Sequence, residues 1–180
     1  MRRLTWRIIA VGLLLVIGVL VWRARTLRAP EPELAPVDTT ASGVRAATLW
    51  FPDAEAGGLV AETREMPLTG ALHDRVAGIL AALDQGPREN GTRALPEGTL
   101  LLHAYLDETG VLTLDLSRTF RQGFHGGARA EELAIGSLVR TLAANVPEAK
   151  RIRITCAGAS LPTLGGHFPL DRPLDPAEWP

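Results

Sequence analysis

Three kinds of segment follow one another along the chain, and they differ in how their apolar residues are spaced. An uncharged apolar run occupies residues 8–22, and a stretch rich in Pro, Ala and acidic residues follows at 29–43. That stretch has too few apolar positions to form a core and indicates a semi-extended linker. From residue 46 onward, apolar residues recur with the periods of strands and helices. The pattern divides the chain into residues 1–28, a linker at 29–45, a folded domain at 46–176 and a tail at 177–180.

The first part of the predicted domain contains two strands and a helix. The segment AATLWFPD alternates apolar and polar positions until Pro52 closes it, and GGLVAETREM follows as an edge-type strand. A helix then begins after Thr69, a residue type that caps helices, and ends at Gly86 and Pro87. Its apolar stripe consists of Leu72, Val76, Ile79, Leu80 and Leu83.

The second part contains a hairpin, a second helix and a last strand. The hairpin TLLLHAYLDETGVLTLDLS is expected to bury alternate residues of both strands. Its expected inner face consists of Leu100, Leu102, Ala104, Leu106, Leu112, Leu114 and Leu116. The second helix, ended by Pro147, has the stripe Ile135, Leu138, Val139, Leu142 and Val146. The last strand, KRIRITCAG, is expected to turn inward Ile152, Ile154 and Cys156.

The element order is therefore β-β-α-β-β-α-β, which predicts an α+β domain. Both helical stripes are buried if the two helices pack on one face of a single mixed β-sheet. One N-terminal transmembrane helix is expected to precede this domain, because the run at residues 8–22 is apolar and uncharged.

The flanks of the apolar run are typical of an uncleaved membrane anchor. Trp6 and Trp22 bracket the run as aromatic-belt residues do, and Arg7 and Arg23 place positive charge beside it. A cleaved signal peptide is the alternative, but no small-x-small cleavage site follows the run. A short N-terminal tail before a long domain favours a single-pass protein of the cytoplasmic (inner) membrane, with its C-terminal domain extracytoplasmic or periplasmic.

Composition narrows the chemistry that the domain can carry. The formal net charge is -1, which gives no basic field for nucleic acid. Cys156 is the one cysteine, so the chain forms no intrachain disulfide and no cysteine-based zinc site. No H-x-x-x-H or H-E-x-x-H spacing occurs among the histidines, which are His73, His103, His125 and His167. We therefore predict neither a metal nor a cofactor.

Six blocks of sequence, in this order, resemble a known domain family. They are LWFPD, ILAALDQGP, LPEGTLLL, LTLDLSRTF, EELAIGSLVRTLAANVPEAKRIRITCAG and LGGHFPLDRPL. Together they resemble the GerMN domain, the module of spore-germination and sporulation proteins of the GerM type, over residues 46–176. Two features depart from that pattern. Family members often have an Asp-Gly turn where this chain has Cys156-Ala157-Gly158, and many are lipoproteins, whereas no lipobox cysteine follows the apolar run.

The resemblance implies a small extracytoplasmic α+β domain held at the membrane by a tether. It also implies a fold similar to the ring-building modules of secretion and sporulation channels, which makes self-association a further expectation. It brings no catalytic residues with it. A sporulation role does not follow from the domain alone.

The loop from residue 84 to 97 is the first candidate site. Its polar side chains, Asp84, Arg88, Glu89 and Arg93, would form a binding pocket if they converged. The favoured interpretation is a connection in which Gly86-Pro87 stops the helix and Leu95-Pro96 docks the next strand.

Two further candidates concern catalysis. Cys156 would act as a nucleophile if His167 served as its base, but its phase predicts a core position. Asp115 would form an acid–base pair with Glu131 or Glu132 if the chain brought them together. Surface and helix-capping roles are favoured for these carboxylates, because acids at the start of a helix interact well with its dipole.

The segment GFHGG precedes the second helix and resembles a phosphate cradle only superficially, because it lacks the Lys and Ser/Thr of a P-loop. A flexible turn is the favoured interpretation, and its residues Phe124, His125 and Gly126 are the candidate partner-contact loop. We predict a non-enzymatic, membrane-anchored module that binds envelope proteins whose identity stays open. A peptidoglycan- or glycan-binding module is one alternative, and an envelope hydrolase using Asp115 or Cys156 is another.

Overall fold

The computed structural model describes residues 43–53, 55, 57–68 and 70–179. They belong to one compact unit, Ala41–Pro180. The predicted membrane anchor at residues 1–28, with Trp6, Arg7, Trp22 and Arg23, lies outside the described residues, as does the predicted cap Thr69. Over the ranges that are described, no helix is both long and apolar enough to cross a membrane.

The described residues contain every strand and helix that the sequence predicts for the domain, together with three short additions. The strands are β1 (Val44–Pro52), β2 (Leu59–Pro67), β3 (Leu101–Leu106), β4 (Val111–Leu116), β5 (Arg151–Cys156) and β6 (Ala159–Ser160). The helices are α1 (Leu72–Asp84), α2 (Arg118–Gln122) and α3 (Ala128–Asn145), followed by a 3-10 turn at Pro176–Glu178. The additions are α2, β6 and this turn, all too short to produce a periodic pattern.

The strands form two sheets, which corrects the prediction of a single mixed sheet. β1 and β2 form an antiparallel pair of their own, from Val44 opposite Pro67 to Pro52 opposite Leu59. The second sheet has the order β3-β4-β5-β6, in which β4 and β5 run parallel and the other pairs antiparallel. The domain is therefore α+β as predicted, with its mixed sheet made only from the second half of the chain.

Polar side chains of helix α3 explain why no described strand pairs with the edge of β1 that faces away from β2. Thr141 Oγ1 accepts a hydrogen bond from Trp50 N at 2.9 Å, and the Ser137 hydroxyl donates to Trp50 O. The Asn145 amide accepts from Thr48 N at 3.1 Å and donates to Thr48 O at 2.7 Å. The three helical residues are four positions apart and so share one face. They satisfy the outer edge of β1, which would otherwise be open to another strand.

Both helical stripes are buried against the strands, as their spacing predicts. The fully buried side chains of α1 and α3 include Val76, Ile79, Leu83, Ile135, Leu138, Val139 and Leu142. They meet Leu49 and Phe51 from β1, Leu112 and Leu114 from β4, and Ile152 and Ile154 from β5. One continuous apolar core therefore holds the two sheets and two helices together.

The prediction that Leu100 and Leu102 face the core is wrong. They are 63% and 39% exposed. A register shift lies between Leu101 and His103 where β3 pairs with β4, and it reverses the alternation at the start of the strand. Leu101 is consequently half-buried opposite Leu116, while its neighbours face solvent.

Cys156 also departs from its predicted core position. It ends β5 half-buried rather than buried, and its thiol lies 3.5 Å from the carbonyl oxygen of Ser117. The inward phase of Ile152 and Ile154 does not extend to it, because β5 ends there in the tight turn to β6.

Candidate functional site

Two loops that the sequence singles out converge at the start of helix α3. Residues 92–96 follow α1, and residues 123–126 join α2 to α3. Together with the first turns of α3 and the end of β1 they enclose a cleft of about 540 Å3, hereafter the α3 cleft. Its lining residues include Pro52, Thr92, Arg93, Leu95, Pro96, Phe124, His125, Gly126, Arg129, Ala130 and Leu133.

The 84–97 loop is fastened by its own polar groups. The Arg93 guanidinium donates to the carbonyl of Asp84, and the Asp84 carboxylate accepts from Gly98 N at 2.9 Å. Thr92 N donates to the carbonyl of Pro52 at 2.7 Å, which joins the loop to the end of β1. These bonds engage the polar side chains of Asp84 and Arg93 within the protein. They also hold the loop in position as one wall of the cleft.

A buried arginine, which the sequence analysis did not identify, bonds to the end of α1 where this loop begins. Arg64, on β2, is 4% exposed and donates to the carbonyls of Ala82 at 3.0 Å and Gly86 at 2.7 Å. It thereby satisfies carbonyl groups at the C-terminal end of α1 that have no partner within the helix. Glu62 is 2.5 Å from its Nε, and this contact holds the pKa of Glu62 below its ordinary value, although burial opposes the shift. The available signal was an E-x-R spacing, which puts both side chains on one face of a strand.

The opposite wall depends on glycines that admit close neighbours. A Cβ on Gly123 would lie 2.8 Å from Pro96 Cβ, and one on Gly126 would lie 2.5 Å from Ala130 Cβ. Both approaches are shorter than carbon contacts allow, so these positions exclude any side chain. Phe124 is half-buried between them, and His125 is exposed with no hydrogen bond inside the described ranges. The predicted partner-contact residues therefore line the cleft.

Glu131 lies behind this wall, and its predicted surface role is wrong. The residue is fully buried in the first turn of α3. Its Oε1 accepts from Leu164 N at 3.0 Å, and its Oε2 accepts from His167 N at 2.9 Å. The His167 ring Nδ1 also lies 2.8 Å from Oε2. Burial alone would raise the pKa of Glu131, but these hydrogen bonds outweigh it and hold the pKa below its ordinary value.

The 164–168 loop that Glu131 holds also supports Phe124. A Cβ on Gly165 would lie 2.7 Å from the Phe124 ring and 3.0 Å from Glu131 Oε2. Glycine at this position lets the loop, the ring and the carboxylate come together. The LGGHF block is thus connected to the cleft through Glu131 and through the close packing of Gly165 against the Phe124 ring.

The structure keeps the proposed catalytic groups apart. The Asp115 carboxylate accepts from Thr155 Oγ1 at 3.0 Å and Gly158 N at 2.9 Å, whereas Glu131 serves the 164–168 loop. Cys156 lies against Ser117, and the His167 ring bonds to Glu131, so they form no thiol–imidazole pair. Across the part of the chain that the structure describes, no three His, Cys, Asp or Glu side chains cluster as metal ligands.

A two-stranded sheet, a four-stranded mixed sheet and two core helices define a small α+β domain with one loop-walled cleft at the start of its longer helix. Residues 48–162 match the family described as Germane, sporulation and spore germination, and the chain belongs to this family. This confirms the resemblance seen in the six sequence blocks. The comparison with curated proteins gives no match.

Solved structures share the fold. The first GerMN domain of the sporulation protein GerM from Bacillus subtilis is 20% identical with a TM-score of 0.58, over 74% of this chain and 98% of that one. The tandem GerMN domains of the same protein give 16% identity and a TM-score of 0.59, over 75% of this chain and 47% of that one. A candidate lipoprotein from Clostridium perfringens is 21% identical with a TM-score of 0.54, over 77% and 91% of the two chains. At these identities the likeness concerns the fold.

Proposed function

We propose that the chain is a membrane-tethered, non-enzymatic envelope protein whose domain binds a partner protein through the α3 cleft. The observation that carries this proposal is the cleft itself, which encloses about 540 Å3 beside the first turns of α3. Binding sites are typically concave and mainly apolar, with a few polar groups that fix orientation. Here the apolar groups come from Leu95, Phe124 and Leu133, and the polar rim comes from Arg93 and Arg129.

The charges around the cleft favour a polypeptide that inserts an apolar side chain. Arg93 lies 3.8 Å from the Asp84 carboxylate, and Arg129 lies 2.5 Å from Glu132. Both guanidinium groups already face an acid, so the rim offers little net charge to a small ion. An apolar side chain entering the cleft would instead remove its own surface and that of the walls from water.

The separate locations of the titratable groups support a non-enzymatic role. Acid–base and nucleophilic mechanisms need two or more groups within hydrogen-bond reach of one substrate position. Asp115, Glu131 and Cys156 serve three different parts of the fold, and each carboxylate holds backbone N–H groups of a turn or loop. Their positions are those expected of structural residues.

Sequence supports the membrane tether and the envelope location. The apolar run at residues 8–22, with Trp6, Arg7, Trp22 and Arg23 at its ends, would serve as a single-pass anchor in the cytoplasmic membrane. Residues 29–45 would then act as the linker that holds the domain, residues 46–176, on the extracytoplasmic side. A lipoprotein with a similar fold would be tethered in a comparable way by its lipid.

An arginine placed inside the cleft tests the proposal in the native cells. Ala130 is exposed, lines the cleft and faces the 123–126 loop, so Ala130→Arg should fill the cleft without disturbing the core. In vivo cross-linking of the full chain, followed by mass spectrometry, should recover defined envelope proteins from the wild type. We expect Ala130→Arg to lower that recovery by about tenfold or more, because a filled pocket removes the central contacts of an interface.

Ala144→Arg is the matched control, because Ala144 is exposed on the same helix and does not line the cleft. Both variants should keep the thermal midpoint of the wild type. Equal recovery from the two variants would remove the cleft from the proposal. Recovery of muropeptides without a partner protein would replace the proposed protein-binding role by the glycan-binding alternative. Recovery of a second copy of this chain would identify self-association.

A further inference from the structure

A second cleft lies between helix α2 and the β5–β6 turn. It encloses about 450 Å3 and shares no lining residue with the α3 cleft. Its polar lining residues are Arg118, Arg121, Gln122, Cys156 and Ser160. The sequence did not indicate this cleft, because α2 is a single short turn of helix and β6 has two residues.

Two positive charges meet on one face of α2. Arg118 and Arg121 are three positions apart, and Gln122 follows at the fourth, so all three side chains share a helix face. Neither guanidinium has a hydrogen bond or an ion pair with any described residue, whereas Arg93 and Arg129 each face a carboxylate. Like charges at this spacing repel each other, and an anion between them would relieve that repulsion.

The opposite wall is fixed and places no free carboxylate in the cleft. Ala157 and Gly158 form the turn, with φ of 51° and 77°. Both oxygens of Asp115 accept from Gly158 N, at 2.9 and 3.0 Å, and Asp115 also accepts from Thr155 Oγ1. Ala157 N donates to the carbonyl of Leu116 at 2.8 Å. Among the described residues, the acid that bonds to this turn, Asp115, is thus already engaged with backbone and hydroxyl donors.

We infer that this second cleft binds a phosphate group through Arg118 and Arg121. A phosphate monoester carries about -1.5 to -2 charges at neutral pH, which matches two guanidinium groups, and arginine recognises its oxygens bidentately. The Gln122 amide and the Ser160 hydroxyl supply uncharged donors at the rim. The cleft is larger than one phosphate, so it leaves room for the group that carries the phosphate, whether a soluble molecule or a lipid headgroup.

The single cysteine provides the measurement, since Cys156 is half-buried in this cleft and is the one thiol of the chain. Full-length protein in nonionic detergent is alkylated with N-ethylmaleimide, and the rate is followed by mass spectrometry. Glycerol phosphate should slow the reaction by about tenfold at ten times its Kd, because only about a tenth of the sites are then free. Sodium chloride at the same ionic strength should leave the rate near that of the untreated protein.

Arg118→Gln and Arg121→Gln should each abolish most of this protection, and Arg151→Gln, an exposed arginine outside the cleft, should retain it. A lipid headgroup would be identified as the source if mixed micelles of the detergent with phosphatidic acid, a phosphate monoester lipid, slow alkylation without added glycerol phosphate. Protection by glycerol phosphate but not by these mixed micelles would identify a soluble ligand. Protection that is equal with chloride, or unchanged in the arginine variants, would overturn the inference.

Discussion

At the scale of single residues, two buried charges organise the surroundings of the α3 cleft. Arg64 and Glu131 are 4% and 0% exposed. Apart from Glu62, which is two residues from Arg64, their partners lie far along the chain: 18 and 22 residues for Arg64, and 33 to 37 residues for Glu131. Local sequence pattern predicts a polar edge strand and a solvent-facing acid at these positions, because it carries no information about such distant partners. Charged residues are almost never fully buried unless they are paired, so each of them needs these partners to remain inside.

Replacing Glu131 should destabilise the domain without changing its shape. Glu131→Gln keeps the size of the side chain but turns one accepting oxygen into a donor that faces the backbone N–H of the 164–168 loop. We expect the free energy of unfolding at pH 7 to fall by about 2–3 kcal/mol, the usual worth of hydrogen bonds to a buried charge. Urea unfolding checks this value. Glu132→Gln, which loses only a surface pair with Arg129, should cost less than about 1 kcal/mol.

The difference in stability between the wild type and Glu131→Gln should also depend on pH. The pKa of Glu131 is lower in the folded domain than its ordinary value, so the folded state favours the charged form. Its contribution to stability is therefore complete above about pH 4.3, the unfolded value, and is lost as the pH falls through the folded pKa. The stability difference between wild type and Glu131→Gln should shrink below that pH. Glu62, Asp107 and Glu148 also have lowered pKa values, so only this difference isolates Glu131. A difference that stays constant down to pH 3 would contradict this account.

At the scale of elements, the helices were predictable and the strand edges were not. The stripes of α1 and α3 span enough turns for their period to be clear, and the structure buries them. β3 is only six residues long, and one register shift was enough to reverse the facing of Leu100 and Leu102. Ser137 and Thr141 are polar residues within the helix and are buried where they meet β1. Their presence near the apolar stripe of α3 was the sequence signal for this contact.

Removing one hydroxyl from that contact should loosen β1. Thr141→Val conserves volume but leaves Trp50 N without its 2.9 Å acceptor. We expect a loss of about 1–3 kcal/mol in the free energy of unfolding, since a buried donor is then unsatisfied. Hydrogen exchange of the Trp50 amide should accelerate more than that of the β4 amides. Thr113→Val, at a half-exposed position on β4, is the control and should change stability by less than about 0.5 kcal/mol. Equal effects of the two substitutions would mean that the Thr141 hydroxyl does not hold the edge.

At the scale of the whole molecule, the α+β class followed from the order of elements, but the division into two sheets did not. The order of elements alone does not show whether the second edge of β1 pairs with a strand or with side chains of a helix. The answer depends on bonds between residues 48–50 and 137–145, which are 87 to 97 residues apart in sequence. The α3 cleft was within reach of sequence reasoning, because both of its loops were singled out; the second cleft was not.

The proposed membrane tether can be tested by removing the residues that would form it. Deleting residues 1–28 should move the chain from the membrane fraction to the soluble fraction of the native cells, because the apolar run is then absent. The thermal midpoint of the domain should stay within about 2 °C of the full chain, since no core residue is removed. Fractionation followed by immunoblotting measures the first effect. Membrane association that survives the deletion would point to attachment through the domain itself.

The bonds that cover β1 also set an order in time for the newly made chain. Thr48 and Trp50 are synthesised 87 to 97 residues before the side chains that satisfy them. At about 5–20 residues per second, the ribosome needs roughly 5–20 s to reach those side chains, and the β1–β2 hairpin waits with one bare edge. The strand made first therefore lacks partners along one edge until helix α3 has been made, and that edge is open to mispairing until then.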